Sequence, residues 1–190
     1  MSALRGFADP VLDSQASFRA VLEAMARPGR VLPVARPPEP PAPLCPAAAA
    51  VVLTLVDAET PLWTDAGVEA EAWARFHCGC PVVASPGEAA FILVLGAAPD
   101  LGALRAGTEE EPEGGATLIL QVASLEAGRG LRLSGPGIER EHRLLAPGLP
   151  PGFLAAWKAN RARFPRGVDV VLCAGDRVAA LPRTVRIEEG

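Results

Sequence analysis

The sequence predicts a mixed α/β sandwich, and three of its features carry that expectation. Continuous aliphatic runs such as "AAFILVL" (89–95) and "VDVVLCA" (168–174) have the length and branched content of strands covered on both faces. Between such runs lie segments of helical period, of which "SFRAVLEAMA" (17–26) is the plainest. The chain then closes with two aliphatic segments around Gly175-Asp176, the pattern of an antiparallel hairpin. Helices interleaved with buried strands must cover a sheet, which gives stacked layers around one core. A chain of 190 residues, 49% of them hydrophobic, can bury about 70% of its unfolded surface, so one domain over 1–190 is expected.

Taken in order, the first helix is expected to be capped by Asp13 or Ser14. Its apolar positions Phe18, Val21, Leu22 and Met25 follow helical spacing, and Pro28-Gly29 ends it. An extended piece, "RVLPVA" (30–35), leads into "RPPEPPAPLCP" (36–46), whose prolines impose extended backbone and remove amide donors, as in a surface loop. Residues 47–56, "AAAAVVLTLV", start with alanines and are ten long, which favours helix over strand. "TPLW" (60–63) reads as a short strand, 66–76 as a helix, and 89–95 as a strand with helices above and below its sheet. "TEEEPEGG" (108–115) is an acidic loop. "ATLILQVASL" (116–125) and "GLRLSG" (130–135) read as two strands joined as a hairpin by "EAGRG". "PPGFLAAWKANRARF" (150–164) is the last helix, and strands follow on either side of Gly175-Asp176. No internal repeat is found.

Composition excludes several classes of function. There are 18 basic and 22 acidic residues, and the net charge is −4 without any basic stripe, so nucleic acid is not an expected partner. The longest apolar run, 47–56, is too short to span a bilayer, and "MSALRGFADPVLD" has no signal-peptide core. A cytoplasmic protein is expected, and its four cysteines (45, 78, 80 and 173) should be reduced thiols.

The motifs that could carry chemistry are sparse. The corner Ser134-Gly135-Pro136-Gly137-Ile138 follows a strand, but it lacks the third glycine and the helix start that a dinucleotide loop needs, and Pro136 removes an amide. It reads as a turn. "FHCGCPVV" (76–83) offers His77, Cys78 and Cys80, yet the spacing is not that of structural zinc, and no metal site is expected. With two histidines, no tyrosine and no nucleophile elbow, no catalytic set is assigned; His142, between Glu141 and Arg143, reads as exposed. Asp57 and Glu59 read as a polar turn.

Seven segments taken together resemble the PhnH family, a subunit of the bacterial carbon-phosphorus lyase core complex: "SFRAVLEAMARPGRV", "LTLVDAETPLW", "FHCGCPVV", "GATLILQVASL", "LRLSGPGI", "FPRGVDVVL" and "LPRT". They run in register from about residue 10 to about residue 186, and depart from the family in the proline-rich loop, the acidic loop and the two cysteines of "HCGC". The resemblance implies a three-layer α/β/α sandwich around a mixed sheet, similar to pyridoxal-phosphate-dependent transferases. It implies a role in phosphonate use, supporting with PhnG, PhnI and PhnL the formation of α-D-ribose 1-methylphosphonate 5-triphosphate from ATP and methylphosphonate, ahead of cleavage by PhnJ. It also implies a homodimer when the chain is isolated.

The cofactor of that fold is not expected to accompany it. Pyridoxal phosphate is held by a desolvated lysine, and the only lysine, Lys158, lies on the solvent side of its helix with Arg161, opposite Trp157 and Ala156. An accessory subunit is therefore the favoured reading. The alternative is a standalone small-molecule enzyme that grips phosphate or phosphonate through Arg132, Arg166 or Arg183, with His77 as a further ligand-binding candidate.

Overall fold

The structure, a computed structural model, describes residues 5–34 and 38–190. The expected extended piece and proline-rich loop therefore fall in part, at 35–37, outside the described residues.

Helix α1 spans Pro10–Ala26, with Asp9 as its cap: the Asp9 carboxylate accepts from Val11 and Leu12 amides at 3.1 and 3.0 Å. The cap thus lies four residues before Asp13, because Pro10 is pre-set for the first helical position. Asp13 returns the contact, its Oδ2 accepting the Asp9 amide at 2.9 Å. The buried face of α1 is Asp13, Ser17, Val21 and Ala24, whereas Phe18 and Leu22 are exposed. Of the stripe that periodicity selected, Val21 is buried and Met25 packs against the same core, whereas Phe18 and Leu22 turn outward. The reason is the neighbour: α1 packs on helix α2, Pro46–Leu55, whose buried positions are alanines 47–50 with Val51 and Val52, and small residues let two helices approach closely.

The central sheet has six strands in the order β1-β8-β7-β4-β3-β2. These are β1 Leu32–Pro33, β2 Leu62–Thr64, β3 Phe91–Val94, β4 Thr117–Gln121, β7 Asp169–Ala174 and β8 Arg177–Leu181. Strands β2, β3, β4 and β7 are parallel; β8 runs antiparallel to β7, and β1 pairs antiparallel with β8, so it runs in the direction of the parallel set. Residues alternate between two cores, as period two requires. Leu93, Ile119, Val171 and Cys173 face α1, α2 and helix α3, Val68–Cys78, around the fully buried Trp73. Ile92, Leu118, Val170 and Leu172 face the other core.

That second face corrects the expectation of helices above and below. Its cover is helix α4, Phe153–Arg161, together with a three-stranded sheet ordered β6-β5-β9, made of β5 Glu126–Ser134, β6 His142–Leu145 and β9 Arg186–Glu188. The hairpin expected around "EAGRG" does not form, because β4 and β5 belong to different sheets. Those five residues lie inside β5 or at its start, and Gly128 and Gly130, both at positive φ, accompany a register shift against β6 between Ala127 and Leu131. The glycines mark a bulge, not a turn. The partition follows burial: β4 is apolar through its middle and needs cover on both faces, while in β5 Leu133 is the buried residue.

Helix α4 is fixed by its inner face. Phe153, Trp157 and Asn160 are buried at helical spacing, and the two rings stack with centroids 5.9 Å apart. Trp157 Nε1 donates to Val185 O at 2.9 Å. Asn160 mimics a strand neighbour: Nδ2 donates to Val168 O and Oδ1 accepts from Val168 N, both at 2.8 Å. The outer face of α4 is thereby held in a set orientation beside β9.

Candidate functional site

A cleft of about 630 Å³ lies between α4 and β9. Leu154, Trp157 and Ile187 contribute apolar lining, and Lys158, Arg161 and Arg186 contribute cations. Two carboxylates, Glu188 and Glu189, share it. Glu188 is already paired with Arg132 of β5, its register neighbour. Arg161 donates from Nε to Thr184 O at 3.3 Å, which holds its stem across the gap between helix and strand. On the other side of Arg161 a second cavity, of about 380 Å³, is lined by Thr184, Pro136 and the ring of Phe164, which is 62% exposed.

Pro136 belongs to the Gly-Pro-Gly corner, which the structure shows as a turn, with the Ile138 amide on Gly135 O at 3.1 Å. Gly137 is at φ +80°, and a Cβ there would lie 2.0 Å from Ala26 O at the end of α1. The glycine is needed because the corner packs backbone to backbone on that helix.

The four residues singled out from sequence are not brought together. Arg132 pairs with Glu188 on the small sheet. Arg166 is exposed in the loop before β7. Arg183 has its donors engaged by Asp169, Pro112 O and Pro165 O. His77 sits in the last turn of α3, on the opposite side of the sheet from α4, with its ring 5.1 Å from Trp73 and 5.0 Å from Phe76. A Cβ on Gly6 would lie 2.8 Å from His77 Cε1, so the N-terminal segment rests on this ring. His77 Nε2 is buried and has no hydrogen-bond partner among the described residues.

His142, expected to be exposed, is half-buried, with Nδ1 2.6 Å from Pro28 O. Neither histidine hydrogen-bonds a serine, cysteine or carboxylate among the described residues. The four thiols are free, with Cys80 and Cys173 buried. Burial pushes the Cys78 thiol up to about 12, helped by the neighbouring Cys80 and Asp57 charges, and burial raises Cys173 as well. Groups of three or more His, Cys, Asp or Glu side chains able to hold a metal are absent among the described residues. Among those residues, too, no helix is long and apolar enough to cross a membrane. Lys158 is exposed, so the desolvated amine that pyridoxal phosphate requires is not presented, and the residues do not fit that cofactor.

Sequence reading placed Lys158 and Arg161 on the solvent face of α4 without giving them a site. The signal that could have promoted them was the basic pair at i, i+3, but its complement, Arg186, arrives from β9 only through the fold.

Fold and cleft define a mixed α/β domain whose six-stranded sheet carries two neighbouring surface cavities at α4, β9 and the Gly-Pro-Gly corner. The chain belongs to the PhnH family: the family model described as bacterial phosphonate metabolism protein (PhnH) matches residues 5–188. It is 41% identical over 187 residues to the alpha-D-ribose 1-methylphosphonate 5-triphosphate synthase subunit PhnH of Rhizobium meliloti (strain 1021), covering 96% of this chain and 94% of that protein. It is also 36% identical over 179 residues to the putative C-P lyase subunit protein HtxG of Stutzerimonas stutzeri, covering 91% of this chain and 85% of that one.

Proposed function

We propose that this chain is an accessory, non-catalytic subunit of ribose 1-methylphosphonate 5-triphosphate synthase in the carbon-phosphorus lyase system. The observation that carries the reading is the end-to-end identity with the rhizobial subunit, 41% over 96% of the chain. Identity of that extent carries the fold across, and among the described residues neither histidine hydrogen-bonds a serine, cysteine or carboxylate. In this reading it works in the cytoplasm, beside subunits of the PhnG, PhnI, PhnJ and PhnL types, and forms a homodimer when isolated. Exposed apolar side chains on α1 and α3, among them Val11, Phe18, Leu22, Val68 and Phe76, support a role exercised by contact. The parallel order of β2, β3, β4 and β7 with helices on one face agrees with a likeness to the pyridoxal-phosphate transferase architecture, proposed here for the fold without the cofactor.

Deletion of the gene tests the function. Growth on methylphosphonate as sole phosphorus source should be abolished, growth on phosphate should be intact, and the wild-type chain should restore the loss. Normal growth of the deletion strain on methylphosphonate, with no second copy present, overturns the proposal.

A further inference from the structure

The cleft between α4 and β9 is anomalous for this protein. The chain carries a net charge of −4, yet the cleft gathers Lys158, the only lysine, with Arg161 and Arg186. Of its two carboxylates, Glu188 is neutralised from outside by Arg132, which leaves Glu189 to oppose three cations. A surplus of cations in a concave, partly apolar setting attracts a polyanion more strongly than the same charges on a flat surface. Arg161 is also the wall that this cleft shares with the cavity of Phe164 and Pro136, an apolar shelf with an exposed aromatic face. A ligand that spans Arg161 would place negative charge on one side and a flat ring on the other.

We infer that the two cavities form one composite site for a nucleoside polyphosphate. Its phosphates lie against Lys158, Arg161 and Arg186, and its base rests on Phe164. Arg161 serves both halves, since a guanidinium can bond phosphate along its edge and lie beside an aromatic ring by its face. Glu189 limits affinity and keeps the site from retaining inorganic phosphate. The inference deepens the proposed function by giving this subunit a ligand of the phosphorylated-ribose class.

Calorimetric titration of the full-length protein with ATP, and separately with inorganic tripolyphosphate, tests it. Both should bind, ATP more tightly. Arg161→Ala and Lys158→Ala should each weaken both ligands by about tenfold, as loss of one charge-assisted contact does. Phe164→Ala should weaken ATP by about fivefold or more, the scale of one stacked base, and leave tripolyphosphate unchanged. Glu189→Gln should tighten both. Lys158 and Phe164 are exposed, so those variants fold even if Arg161→Ala disturbs its Thr184 contact. Failure of both ligands to bind at millimolar concentration overturns the site, as does indifference to Arg161→Ala and Lys158→Ala. Equal weakening of both ligands by Phe164→Ala overturns the base shelf. If the wild-type chain restores growth on methylphosphonate while binding neither ligand, this inference fails and the subunit assignment stands; if it does not restore growth, the assignment itself fails.

Discussion

Arg183 clasps Asp169 from the turn after β8: Nη2 lies 2.6 Å from Oδ2, and Nε lies 3.1 and 3.2 Å from Oδ1 and Oδ2. The Arg183 amide adds a bond to Oδ1 at 2.7 Å, and Nη1 reaches Pro112 O at 2.7 Å. One side chain thus ties the start of β7, the end of β8 and the acidic loop together. The two side chains are 12% and 17% exposed, so breaking the pair leaves a carboxylate largely removed from water. Arg183→Ala should cost about 3–5 kcal/mol of unfolding free energy. Urea denaturation measures it, and a loss below about 1 kcal/mol, the range of exposed pairs, would show that the clasp does not act as a buried one.

Ser17 gives the opposite sign. It lies on the buried face of α1, fully shielded, and its Oγ has no partner among the described residues. Ser17→Ala removes an unsatisfied hydroxyl and adds helix propensity, so the variant should be more stable by about 0.5–1.5 kcal/mol. A destabilised variant in the same urea experiment would mean that the hydroxyl is in fact bonded.

Cys78 sets a pH dependence. Its thiol is pushed up from 9.0 to about 12, chiefly by burial. A raised pKa in the folded state means that the unfolded chain loses this proton first as pH rises. The stability associated with the neutral thiol is therefore complete below about pH 9 and declines from there towards pH 12. Cys78→Ala should flatten that alkaline decline when melting temperature is followed from pH 8 to 11. An identical slope in the variant would assign the decline to other groups.

How much of this was legible in the sequence depended on whether a residue's environment was local. The runs at 89–95 and 168–174 became β3 and β7 because continuous aliphatic residues suit a parallel strand with two covered faces, a property of the run itself. The inward face of α1 was legible only in part, at Val21 and Met25. Phe18 and Leu22 score as core by period, but the alanines of α2, distant in sequence, admit Ser17 and Ala24 instead. The fate of "EAGRG" likewise depended on β6 arriving as the partner of β5, which no local signal announces. The cleft was half legible: Lys158 and Arg161 share a helix face by spacing and Phe164 follows Arg161 by three residues, but Arg186 joins them only because the chain leaves the central sheet after β8 to pair with β5.

The misread face of α1 leads to the last prediction. Val11, Phe18 and Leu22 fall at i, i+7 and i+11, a narrow stripe down the outside of the helix, with relative exposures of 77%, 48% and 55%. An apolar stripe of that length is unusual on a protein that remains monomeric, and a two-fold pair of α1 helices would bury it in both copies at once. The purified chain should therefore be a homodimer at micromolar concentration by light scattering. Phe18→Glu with Leu22→Glu should yield a monomer of unchanged circular dichroism, because both side chains already face solvent in the single chain and their replacement removes no core contact. If the same stripe also meets other subunits, the double variant should fail to restore growth on methylphosphonate, whereas Val68→Glu on α3 distinguishes that face from its neighbour. A wild-type protein that stays at monomer mass on concentration, or a double variant that remains dimeric, would remove α1 as the self-association surface.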